Sequence, residues 1–273
     1  MDVLPAIPQD TTDRNRTSPM AFTGNKFEFR MLGSSQAIAG PNLALNTIMA
    51  EELKQFADEL EKSTDFNSDL QKLIKRVFTE HQRIIFSGNN YDEAWLAEAE
   101  RRGLPNLAST ADALPMYNTQ KNVDLFVRHG IYTKEELTAR AEIHIENYIK
   151  VISIEANTMV DMIRHEILPA VSAFSSDLCS RADRKTALGA SCRYETTTAV
   201  EVSNLTDELM TLCEQLECHL AGIPAEPTTA MAYSHDVLLA DMEAARATAD
   251  KLEGVTAKEY WPFPVYADLL FSV

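Results

Sequence analysis

The chain has 273 residues and a formal net charge of −16, a balance that disfavours a nucleic-acid partner. Hydrophobic residues make up 45% of it, enough for a sizeable core, while 9 Gly and 11 Pro are few for this length and point away from a turn-rich β architecture. No apolar run approaches the ~18 residues of a membrane span, and the opening MDVLPAIPQD lacks the basic and apolar regions of a secretory signal.

Residues 1–41 read as extended and loop structure, punctuated by Pro5, Pro8, Pro19 and Pro41, with one strand over 24–32. The period then changes to that of a helix. Leu43, Ile48, Leu53, Phe56 and Leu60 predict an apolar stripe over 42–62. Leu70, Leu73, Ile74, Val77 and Phe78 predict another over 67–86, broken by Ser87-Gly88-Asn89-Asn90. Short helices follow over 91–102 and 119–129, ended by Gly103 and Gly130. Thr133 and Glu136 form a capping-box pattern that opens a long helix over 134–186, kinked by Pro169. Two more helices, 195–221 and 227–253, have the spacing of an antiparallel pair. The tail from 257 to 273 is rich in Tyr, Trp, Phe and Leu, so it is expected to dock on the body, and Pro262 and Pro264 argue against a helix there. The whole reads as mainly α: a bundle-like helical region over 42–273 behind a short extended head.

Most of the ionisable residues read as structural. Cys179, Cys192, Cys213 and Cys218 form no CxxC pair, and no histidine stands at structural-zinc spacing, so they read as reduced thiols. The six histidines are scattered without paired spacing and read as surface or core residues. Glu51, Glu52, Asp58, Glu59 and Glu61 read as a solvated helix face, and Met159, Met162, Met210 and Met242 as core filler.

The head is different. Residues 1–30 hold four basic and four acidic side chains, so the acidic excess lies entirely beyond them. In Lys26-Phe27-Glu28-Phe29-Arg30 the charges alternate with rings. A strand would therefore place Lys26, Glu28 and Arg30 on one face and the two phenylalanines on the other. Arginine forks bind phosphate or carboxylate through paired hydrogen bonds, and a glutamate among them supplies a hard oxygen for a divalent metal. With Asp13-Arg14-Asn15-Arg16-Thr17-Ser18 just before, the head has part of the equipment of a phosphoryl-transfer site. The same pattern fits a half-exposed strand with salt-bridged charges, and spacing alone leaves both readings open.

The motif NR[ST] followed by [KR]-x-E-x-R resembles the glutamine synthetases. The wording DRNRTSPMAFTGNKFEFRMLGSSQAIAGPN, the long acidic helical stretch and the ending KEYWPFPVYADLLFSV resemble the type III branch over essentially the whole chain. The resemblance implies ATP-dependent ligation of ammonia to glutamate through γ-glutamyl phosphate, with Mg²⁺ or Mn²⁺ bridging the phosphates. It implies that Glu28 is a metal ligand and that Arg30 holds the substrate glutamate and the transferring phosphoryl group. Arg16 would stabilise charge on that group, and Lys26 would lie near the nucleotide. It implies residues 1–41 as the end of a catalytic domain and 42–273 as the helical C-terminal region. It also implies a cytoplasmic location and a ring-stacked dodecamer as the homo-oligomer. Ala21 stands where the type I pattern has a second arginine, which leaves that nucleotide contact unassigned. The family's other metal-binding carboxylates precede NR[ST], so this chain alone is expected to be inactive. Two other readings remain: a non-catalytic helical oligomerisation or regulatory module, and a stand-alone acidic helical binding protein.

Overall fold

The computed structural model describes residues 36–84, 92–264 and 268–270 in full, and the backbone alone at 20–22, 27–29, 266–267 and 271. It divides into two compact units, 1–138 and 139–273.

In the first unit, strands β1 (Met20–Phe22) and β2 (Phe27–Phe29) pair antiparallel. Helix α1 spans Ala39–Leu60 and α2 spans Phe66–Glu80, with a 3₁₀ turn at Gln82–Ile84. Asp65 caps α2 by accepting from the Ser68 amide. Shorter helices α3 (Glu93–Arg101), α4 (Thr110–Ala113) and α5 (Gln120–Arg128) follow, with a 3₁₀ turn over Leu114–Asn118. Gly103 and Gly130 take positive φ at the ends of α3 and α5, a conformation that costs a side chain with a Cβ. The stripe expected of α1 is not its buried face. Ile48 is 47% and Leu53 59% exposed, whereas Thr47 and Glu51, one turn apart, are buried. The periodicity of α1 is helical, but a polar line through Glu51 makes its contacts.

Helix α6 (Lys134–Met162) opens with the expected capping box. The Glu136 amide donates to Thr133 Oγ1 at 3.2 Å, and the Thr133 amide donates to Glu136 Oε2 at 2.8 Å. The second unit comprises the rest of α6, α7 (Leu168–Ala187), α8 (Arg193–Ala221), α9 (Pro227–Tyr233), α10 (Leu239–Val255) and α11 (Tyr266–Phe271). Pro169 cannot donate a hydrogen bond, and its ring crowds the carbonyl four residues back. The chain relieves this with a π turn over Ile163–Ile167, closed by the Leu168 amide on the Ile163 carbonyl, rather than with an open kink. A second π turn, Ser234–Leu238, has no proline. There the buried Ser234 hydroxyl donates back to the Ala230 carbonyl at 2.8 Å, a bond that competes with the helical ladder.

Side-chain partners set the helix directions. Ser175 and Lys185 of α7 meet Ser203 and Glu195 of α8, so numbers rise on one helix as they fall on the other. Gln215 and Glu208 of α8 meet Asp241 and Thr248 of α10 in the same antiparallel sense. Between these helices lies the main core. Ile167, Val171, Phe174 and Leu178 recur at three and four, facing Val202, Leu209 and Cys213 of α8 and Ala245 and Leu252 of α10. Tyr260, Trp261 and Phe263 of the tail pack against this cluster, and the Tyr260 hydroxyl donates to Asp177 at 3.1 Å. The tail also forms α11, against expectation. Its prolines precede the helix, where no ladder bond is lost. Leu269 and Leu270 are each 66% exposed, so the end of the tail does not bury them.

Candidate functional site

Of the residues singled out in the head, Arg16, Lys26 and Arg30 lie outside the described residues. Glu28 lies at the centre of β2, where the backbone register pairs it with Ala21, while Phe27 and Phe29 pair with Phe22 and Met20. The strand that follows the first motif in sequence thus pairs with the strand that carries Glu28. The position that carries arginine in the type I pattern is the one opposite Glu28.

Several carboxylates in the described helices are held by partners from other elements. In the first unit, Glu51 of α1 is met from the end of α5 by Arg128 and by His129 Nε2 at 2.7 Å. Gln55 donates to it at 2.9 Å. Hydrogen bonds from Gln55 and His129, with the Arg128 charge nearby, hold the Glu51 carboxyl below the usual carboxylate range. Glu51 is thus a buried clamp, not part of a solvated face. Glu52, Asp58, Glu59 and Glu61 are exposed.

In the second unit, Arg164, carried on the first π turn, grips Glu217 of α8 through Nε at 2.6 Å and through Nη2. The guanidinium lowers the Glu217 carboxyl, and burial raises the neighbouring Cys213 thiol. Asp241, at the start of α10, lies 2.5 Å from His219 Nδ1 and accepts from Gln215 at 2.6 Å. A carboxylate only accepts, so Nδ1 carries the proton. Tyr233 stands edge-on to the same imidazole, and its hydroxyl donates to the His219 carbonyl at 3.2 Å, tying α9 to the end of α8. Lys185 binds the buried Glu195 at the start of α8. Glu195 Oε2 is buried with no hydrogen-bond partner among the described residues.

These clusters share one chemical character. Each carboxylate is neutralised by a cation or an imidazole from another helix, or from the far end of its own hairpin. Each therefore joins elements of the fold. Among the described residues, no three His, Cys, Asp or Glu side chains are grouped to hold a metal ion. A divalent metal takes several oxygen donors, and one carboxylate such as Glu28 does not by itself make such a site. Sequence reading missed the Glu51 and Asp241 clusters because their partners lie 77 and 22 residues away. No local pattern announces such pairs.

Residues 69–186 match the family described as the glutamine synthetase C-terminal domain. Over 98% of its length the chain is 36% identical to a protein of Dictyostelium discoideum named type-3 glutamine synthetase, and it spans 38% of that relative. It is 35% identical over 97% of its length to a glutamine synthetase of Butyrivibrio fibrisolvens, spanning 39% of it. It is 31% identical over 98% of its length to one of Bacteroides fragilis, spanning 38% of it. The chain thus covers about two fifths of each of these relatives.

Proposed function

We propose, for a chain that carries the C-terminal domain of the glutamine synthetases, that it works as part of an ATP-dependent glutamate–ammonia ligase. The observation that supports this reading is similarity over nearly the whole chain, head and helices together, to proteins named glutamine synthetase. In this reading the head contributes one wall of a composite site. Arg30 orients the substrate carboxylate and the transferring phosphoryl group. Arg16 offsets charge on that group, and Lys26 approaches the nucleotide. Glu28 would give one oxygen to a Mg²⁺ or Mn²⁺ ion, which would offset phosphate charge when bound. The two helical units are the scaffold, and the ion pairs that join helices within each suit that role. The working enzyme is a homo-oligomer of stacked rings, and its compartment is the cytoplasm. Among the described residues no helix is long and apolar enough to cross a membrane.

The test is glutamine formation from glutamate, ATP and ammonia. The 273-residue chain alone is expected to show no turnover. Joined to the portion of the Dictyostelium relative that it does not span, it is expected to turn over. Arg30→Ala is expected to lower kcat in that chimera by about 10²-fold or more, since a lost transition-state charge contact costs on that scale. Turnover by the chain alone would sink the composite-site reading, and so would an Arg30→Ala chimera as active as its parent.

A further inference from the structure

The second unit has an apolar groove of about 540 Å³ lined by α6, its π turn and α10, and by Trp261 and Phe263 of the tail. Its floor includes Met159, Met162 and Met242. Methionine is flexible and polarisable, and surfaces that accept foreign helices use it heavily. The groove runs along α6 and the π turn from Ile154 to Ile167. Thirteen residues at helical rise make about 20 Å, the length of nearly four helical turns. A lining that spans this length is long enough to take the apolar face of a short helix.

Its rim has a sign. Glu155, Asp250 and Glu253 stand against Arg246 alone, and Arg246 is turned to Asp250 at 3.7 Å. The surrounding chain carries −16 in all. A second copy of this chain would bring the same acidic surface. Its exposed tail helix offers Leu269 and Leu270, but the nearby cation, Lys258, is paired with Asp268 at 2.5 Å, so it brings no surplus positive charge to the acidic rim. The complementary occupant has an apolar stripe flanked by cations.

We propose that this groove is a docking site for a basic amphipathic helix of a partner protein. The partner's apolar residues lie over the three methionines and Trp261, and its Lys or Arg residues reach Glu155 and Glu253. The proposal is independent of the catalytic reading, because it invokes no residue of the head.

Trp261 supplies the readout. The chain has two tryptophans, so Trp95→Phe leaves Trp261 as the sole reporter. The full chain with that change is titrated with a synthetic helical peptide of about 14 residues, matched to the groove length, with leucines on one face and lysines on the flanks. A saturable blue shift of Trp261 emission is expected. Glu155→Lys with Glu253→Lys should weaken binding by about tenfold and restore it for a peptide with glutamates on the flanks. Ile154→Asp, at a position already 55% exposed, should weaken binding without lowering the melting temperature. Calorimetric titration of the unaltered chain should rank the peptides in the same order. Four results would overturn the proposal: no saturable shift; equal binding of a scrambled lysine peptide; binding indifferent to the charge reversal; or a dimer of the chain itself that Ile154→Asp dissolves.

Discussion

Glu51 shows how far a single residue can depart from its local context. Its neighbours Glu52, Asp58 and Glu59 are exposed, yet Glu51 is 9% exposed and faces Arg128, His129 and Gln55. Because these partners lower its carboxyl in the folded state, the sign of its pH effect follows. Its stabilising contribution is fully present above the ordinary carboxylate range and is lost as pH falls through the lowered folded value. Glu51→Gln is expected to lower the melting temperature at pH 7 by a few degrees. It should also flatten the loss of stability between pH 5 and pH 3, seen by far-UV circular dichroism. An unchanged acid limb would show that the clamp is not coupled to folding. The hydropathy pattern of α1 could not reveal this, because it ranks Glu51 with its exposed neighbours. What distinguishes Glu51 is the approach of α5.

At the scale of the elements, the chain's own rules held well. The capping box at Thr133 and Glu136 and the glycine ends of α3 and α5 were legible as local patterns. A proline announced a distortion at 169, and the π turn over Ile163–Ile167 is the form it takes. The matching turn at Ser234–Leu238 had no such signal. There the buried Ser234 hydroxyl donates to the Ala230 carbonyl. The core helices carry a sharp contrast for mutation. Leu252 is fully buried between α10 and its neighbours, whereas Leu188 is 85% exposed in the turn after α7. Leu252→Ala is expected to cost about 2–5 kcal/mol, from lost burial and the cavity left behind. Leu188→Ala should stay within about 0.5 kcal/mol. Denaturant midpoints at constant slope measure both, and equal effects would mean that the antiparallel core is wrongly placed.

For the molecule as a whole, both apolar clusters draw their described members from residues 148–263, inside the second unit. That unit therefore has a core of its own. A polypeptide of residues 130–273, which keeps the Thr133 cap, is expected to be helical and to melt in one cooperative transition. A broad melt with strong binding of a hydrophobic dye would refute its independence. The sequence by itself determined that the chain is mainly helical, where most helices start and stop, and that its head and helices resemble the glutamine synthetases. Those properties are written in residue spacing and in contiguous motifs. Only the tertiary structure decided that Glu51 is a clamp, that His219 is held by Asp241, that the end of the tail leaves Leu269 and Leu270 exposed, and that a methionine-floored groove with an acidic rim runs beside α10. Each of these depends on which helices come to lie side by side. That outcome is set by the burial of surface from distant segments, and no local window of sequence contains it.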